Sequence, residues 1–218
     1  MSDELTGHTT DPAAVVADVV ARIRVAVAGG VGGGLVGGGD GGDGRAPGSG
    51  GDGLGPDGDG ADGRGRVVVL VDGRSGTGKT TLGNALAVAL GAQVVHLDDV
   101  YPGWDGLRAA ADAVVTDVLG APSGYRSWDW QADRPAAWRT VDPDAPLVIE
   151  GCGALSRASA PLATVRVWLE ADDVVRWDRA IGRDGATFER EWARWADQED
   201  GFIRTEQPAA LADVVLRT

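Results

Sequence analysis

Residues 67 to 81 read VVVLVDGRSGTGKTT. The first five form a continuous, mostly β-branched apolar run, the pattern of a strand buried on both faces of a parallel sheet. Gly73 to Thr80 then satisfy G-x-x-x-x-G-K-[ST] without a mismatch. Glycines let the backbone fold round an anion with its N–H groups turned inward, where side chains would obstruct it. A helix expected over Lys79–Leu90, closed by Gly91, directs its positive end at the same anion. Lys79 supplies a mobile ammonium for the β- and γ-phosphates of ATP, and the Thr80 hydroxyl is placed to ligate Mg²⁺. The expected phosphate grip is therefore Gly73, Arg74, Ser75, Gly76, Thr77, Gly78, Lys79, Thr80 and Thr81. Glycine is so abundant, 35 of 218 residues, that it carries little by itself. Lysine carries more: Lys79 is the only one in the chain, and it falls where a compact ammonium is needed.

Upstream, residues 29–65 are dominated by Gly and Asp and hold almost nothing to bury. Such a segment cannot offset its ordering entropy, so a flexible linker is expected, spanning roughly 30–35 Å. Before it, Asp11-Pro12 is a helix-start signal, and Val15, Val16, Val19, Val20, Ile23 and Val27 recur at helical spacing. That stripe needs a partner, either the globular unit itself or a second copy of the chain. The expected organisation is a helical segment 1–28, a linker 29–65 and one globular domain 66–218, a normal size for a single core.

The formal charge is −13, part of it from Asp40, Asp43, Asp52, Asp57, Asp59 and Asp62 of the linker. An acidic chain with no basic stripe is a poor binder of nucleic acid. Cys152 is the only cysteine, which excludes an intrachain disulfide and fits a cytoplasmic location. Asp18, Arg22 and Arg24 interrupt the apolar stretch 13–28, so neither a membrane span nor a signal peptide is expected.

Downstream, further strands are expected over Val94–Leu97, Pro146–Ile149, Val165–Leu169 and Val214–Leu216. Helices are expected over Leu107–Leu119, Asp173–Ile181 and Phe188–Glu199. Strands alternating with helices specify an α/β fold in three layers, with a mostly parallel open sheet.

Four pieces in this order, Asp72 to Thr81, Asp98-Asp99-Val100-Tyr101, Ile149-Glu150-Gly151, and Arg179 with Arg183-Asp184, resemble the P-loop small-molecule kinases of the uridine kinase and phosphoribulokinase group. The resemblance covers residues 66 to about 215. It implies that Asp98 takes the proton of the attacking hydroxyl, that Tyr101 helps hold the acceptor, and that Glu150 orders the magnesium shell. It also implies that Arg179 and Arg183 are lid arginines.

The residues admit these roles on their own terms. Asp98 and Asp99 lie just past the end of a strand expected beside the P-loop strand, where open α/β sheets build their sites. The two can exchange roles or share magnesium. Arg176, Arg179 and Arg183 share one helix face, which is either a lid closing on phosphate or a solvated face paired with Asp172, Asp173 and Asp178. Trp128 and Trp130 sit among alternating charges, and either stack on a planar or sugar-like acceptor or cover the sheet edge. His96 reads as a satisfied strand histidine and Cys152 as a small buried residue.

Two functions follow. One is an ATP- and Mg²⁺-dependent kinase acting on a hydroxyl of a small molecule, with nucleoside, sugar, amino sugar and vitamin all open as acceptor. The other is a regulatory nucleotide switch without a small acceptor, suggested by the tethered N-terminal helix. Monomer and homodimer are both compatible with the sequence.

Overall fold

The computed structural model describes residues 12–29 and 66–218, so the expected linker lies outside the described residues. The expected three-layer α/β architecture is present. Five parallel strands form the central sheet: β1 (Val68–Gly73), β2 (Gln93–His96), β5 (Leu147–Glu150), β6 (Val165–Glu170) and β7 (Val214–Arg217). Their order is β2-β5-β1-β6-β7. This corrects one expectation: β2 is not the neighbour of β1, because β5 pairs with both, Val148 opposite Val69 on one side and Val94 on the other.

Alternation along the strands fills two cores. Val69 and Val71 of β1, Val148 of β5 and Val165 and Val167 of β6 face one side. There they meet Leu82 and Leu86 of α2 (Lys79–Leu90) and Val19 and Ile23 of α1 (Pro12–Gly29). The α1 stripe therefore docks on the globular unit of its own chain. Burying Val19 and Ile23 contributes roughly 1.5–3 kcal/mol each. The exposed Arg22–Asp18 pair on the same helix contributes about 0.3–0.5 kcal/mol, so apolar packing holds α1 in place.

Val68, Leu70, Leu147 and Ile149 face the other side, with Leu107, Ala110 and Ala111 of α3 (Leu107–Ala113), and Ala180, Trp195 and Phe202 of α4 (Asp173–Glu206). α3 continues as one π turn over Val114–Val118, so the helix expected to Leu119 is present with a widened last turn. A short α5 (Pro208–Leu211) leads into β7.

One stretch takes a form that the sequence left open. The stretch 124–140 forms an antiparallel hairpin, β3 (Gly124–Asp129) and β4 (Arg134–Thr140), outside the main sheet. A register shift between Arg126 and Trp128 interrupts its alternation, and most of β4 is exposed, which erases the period-two signal. The two helices expected at 173–181 and 188–199 are both present as the two arms of α4, which is broken at Gly185, whose φ of 66° and ψ of −155° are non-helical. No described helix is long and apolar enough to cross a membrane.

Candidate active site

The site starts where β1 ends. A Cβ on Gly73, at φ +154°, would lie 2.5 Å from the Leu169 carbonyl oxygen, and one on Gly76, at φ +81°, 2.2 Å from the Arg176 carbonyl oxygen. Both positions demand glycine because the loop is pressed against β6 and the first turn of α4. Lys79 is buried, and its Nζ donates to the Arg74 carbonyl at 2.9 Å, across the loop. Burial opposes its charge, but the carboxylates around it, Glu199 and Glu150 among them, outweigh this and raise its pKa.

Asp72 ties the loop to the opposite wall. Its carboxylate accepts from the Gly73, Gly153 and Leu155 N–H groups at 2.6, 3.1 and 2.8 Å. Burial nevertheless pushes its pKa up to about 7. A carboxyl raised in the fold contributes stability that is complete below its ordinary value of 3.8 and is lost as pH rises through about 7. Asp72→Asn puts an NH₂ where an acceptor is required. It should lower the unfolding free energy by about 1–3 kcal/mol at pH 5, with a smaller penalty at pH 8. Urea unfolding at the two pH values measures both.

In front of the loop lies a cleft of about 770 Å³. Ser75, Gly76, Gly78, Lys79, Thr80 and Thr81 form its base; Asp98, Asp99 and Tyr101 enter from the turn after β2; Glu150 enters from β5. Arg179 and Arg183 of α4 line the far side, and Trp130 and Trp104 the rim. Residues more than a hundred positions apart thus face one space. Gly73, Arg74 and Thr77 are not among the lining residues. Arg74 turns away to Glu199 and Asp200, and the Thr77 hydroxyl caps the Arg74 carbonyl at 2.8 Å.

Asp98 opens into the cleft, where the surrounding protein mass, with the Glu150 charge next, raises its pKa. The Trp130 indole N–H donates to the Asp98 backbone carbonyl at 2.8 Å. Trp128 does not line the cleft, which separates the two tryptophans expected to act together. Trp130 begins the hairpin turn, in which Asp129 accepts from the Gln131 and Ala132 N–H groups, while Trp128 stays on β3, half-buried near Gly103. Tyr101 is buried and its hydroxyl is already engaged, donating to the Cys152 carbonyl at 2.9 Å. Burial pushes the Cys152 thiol up to about 12, so it is unreactive near neutral pH, as expected of a packing residue.

Of the three arginines on one face, Arg176 is buried against the loop, donating to the Ser75 carbonyl at 3.2 Å and to Asp173 at 2.5 Å. Arg179 donates to the Thr218 hydroxyl at 3.1 Å, and Arg183 holds Asp184 through two hydrogen bonds. The ion pairs on this face run from Arg176 to Asp173 and from Arg183 to Asp184, and Arg179 and Arg183 also stand at the cleft wall.

A metal partner can be tested against the donors present. The Thr80 hydroxyl donates to Glu150 Oε1 at 3.1 Å, and Glu150 is nearly inaccessible except to the cleft. No group of three or more His, Cys, Asp or Glu side chains able to hold a metal occurs among the described residues. A hydroxyl and one carboxylate suit Mg²⁺, which keeps several waters and takes its other ligands from phosphates. They would not suit an all-protein Zn²⁺ or Ca²⁺ site.

Three residues of the site were not assigned to it from sequence. His96 Nδ1 lies 2.6 Å from Glu150 Oε1, and that hydrogen bond raises the His96 pKa despite partial burial. It is satisfied, as expected, but by a residue of the site; the pairing exists because His96 and Glu150 stand opposite in the β2–β5 register. Trp104 packs against Trp130, Phe188 and Trp195, with ring centroids 5.0, 5.7 and 6.3 Å away. Glu199 of α4, only 3% exposed, accepts from the Ser75 N–H at 2.7 Å and the Ser75 hydroxyl at 2.8 Å. No local pattern marks Glu199, which sits in an acidic helix turn.

No protein-family model matches the sequence, and no curated protein matches it. Among solved structures, the chain is similar to a "possible uridine kinase" from Bacillus stearothermophilus. The TM-score is 0.50 at 17% identity, over 91% of this chain and 99% of that one. A gluconokinase from Sinorhizobium meliloti 1021 aligns at TM-score 0.40 and 19% identity, over 71% and 83% of the two chains. A shikimate kinase from Acinetobacter baumannii aligns at 0.41 and 18%, over 70% and 84%. The first of these likenesses establishes the fold, a parallel-sheet P-loop fold shared along nearly the whole of the related chain.

Proposed function

We propose that this protein is an ATP- and Mg²⁺-dependent kinase that transfers the γ-phosphate to a hydroxyl of a nucleoside- or sugar-like small molecule. The observation that carries the reading is the convergence, in one cleft, of the phosphate loop with Asp98 and the arginines of α4. In this reading residues 66–218 are the kinase domain, α1 is a docked accessory helix, and the protein acts in the cytoplasm as a monomer or homodimer.

The backbone N–H groups of residues 76–81 and the Lys79 ammonium hold the β- and γ-phosphates, leaving the γ-phosphorus open toward Asp98. Asp98 accepts the proton as the acceptor oxygen attacks that phosphorus, and the bond to the β-bridging oxygen breaks to release ADP. Arg179 and Arg183 offset charge spreading over the transferred group. Thr80 and Glu150 would hold Mg²⁺, which when bound offsets the negative charge of the phosphates. Asp99, Tyr101 and Trp130 border the acceptor, and Trp128 supports the hairpin behind them.

ADP release from purified protein with Mg-ATP, measured against nucleosides, sugars, amino sugars and vitamin precursors, tests this. Release should rise sharply with one acceptor class and fall to background when EDTA exceeds the metal. One observation favours a nucleotide switch as the second reading: α1 packs on α2, the helix that begins with Lys79 and Thr80. Slow release indifferent to every acceptor, with residues 12–29 becoming protected from protease on adding ATP, would support the switch and sink the kinase.

A further inference from the structure

The P-loop is gripped from outside its own sequence. Ser75 lies at the middle of the contact, and both of its backbone groups are taken by α4. Its carbonyl accepts from the Arg176 guanidinium at 3.2 Å, and its N–H donates to Glu199 Oε1 at 2.7 Å. The Ser75 hydroxyl donates to the same Glu199 oxygen at 2.8 Å, and the Cys152 thiol donates to it at 3.2 Å. The other oxygen, Oε2, takes the Arg74 Nε at 3.3 Å and lies 4.0 Å from Arg176. Arg176 and Glu199 come from opposite sides of the bend at Gly185.

Simple electrostatics opposes a carboxylate here. Glu199 lies beside a loop built to receive a polyanion, and an uncompensated negative charge would weaken nucleotide binding. Its two arginine neighbours and its three N–H, O–H and S–H donors compensate that charge, as a buried carboxylate requires. With the charge offset, what remains is the geometric effect of an acceptor that holds Arg74 and Ser75 in one conformation. A loop whose N–H groups must converge on a phosphate gains affinity from being held so before the ligand arrives.

We infer that Glu199 is a positioning residue of the nucleotide site, holding the phosphate loop in its binding conformation from α4 while touching no nucleotide itself. The inference rests on the proposed nucleotide-binding role of the loop.

Equilibrium binding of ATP to the full chain, without acceptor and well below each variant's melting temperature, separates the two ideas. Wild type should bind and Lys79→Ala should not. Glu199→Ala should bind about 10–100-fold more weakly, the scale of losing hydrogen bonds to a charged group. Glu199→Gln should recover part of the loss, because its oxygen can still accept from Ser75, while its NH₂ faces Arg74. Steady-state kinetics with a competent acceptor should show the loss in KM for ATP, with kcat within about threefold of wild type.

A melting temperature that falls in Glu199→Ala while ATP affinity stays at the wild-type value would overturn the inference, leaving a role in stability only. Tighter ATP binding in Glu199→Ala would also overturn it, since residual repulsion would then outweigh positioning. If Glu199→Ala does not fold, Glu199→Gln decides: binding weaker by about threefold or more supports the inference, and unchanged binding overturns it. No ATP binding by wild type would remove the nucleotide reading itself, and the inference with it.

Discussion

Lys79→Ala should lower kcat/KM for phosphotransfer by about 10³-fold and leave the fold intact. The ammonium is the one mobile positive charge at the base of the cleft, and removing a single charge-stabilising donor from a transfer site costs roughly 10²–10³-fold. In the present conformation its Nζ rests on the Arg74 carbonyl, a hydrogen bond that it must exchange for the phosphate oxygens. Lys79→Arg should rescue little, because the side chain runs through a buried slot, 8% exposed, and a planar guanidinium cannot be placed there as a point charge. Steady-state rates and ATP binding of both variants check this. Wild-type turnover in Lys79→Ala would mean that the cleft is not where phosphate is transferred.

Asp98→Asn should lower kcat by about 10²–10⁴-fold while ATP affinity stays near wild type. The amide keeps the shape and the neighbouring Trp130 hydrogen bond, which goes to the backbone carbonyl rather than the side chain, but cannot accept the proton. The pH dependence has a definite sign. The Asp98 pKa is raised, so the fraction of ionised base, and with it the rate, is lost as pH falls through a value above the ordinary 3.8. The acid limb of kcat should vanish in Asp98→Asn. Asp99→Asn is the matched control, since Asp99 also lines the cleft. An acid limb and a rate that collapse in Asp99→Asn, with Asp98→Asn near normal, would exchange their roles.

Where sequence reading succeeded and failed follows from the range of the forces involved. β1 and the 73–80 loop were legible because both are local: a β-branched run makes the strand, and the glycines answer steric demands within a few residues. The α1 stripe was legible as a buried face with the globular unit among its expected partners, but the particular elements it meets, α2 and β6, were not, because they lie beyond the 29–65 segment. The hairpin at 124–140 was missed because it packs outside the sheet and its register slips at Arg126. The two arms of α4 were legible from their local periodicity, and the break between them falls at Gly185, whose non-helical φ and ψ are a local backbone feature.

The candidate site divides in the same way. From sequence alone came the anion-binding loop with its lysine and threonine, since consecutive backbone N–H groups and one helix start define it. The α/β layering also followed, from alternating strand and helix periodicities. Tertiary structure decided what faces that loop. Insertion of β5 between β1 and β2 sets Glu150 against both His96 and Thr80. The return of α4 across the sheet sets Glu199, 124 residues away in sequence, on the Ser75 N–H. Such pairings depend on strand order and helix packing, which arise from burial summed over the whole chain, and no window of neighbouring residues encodes them.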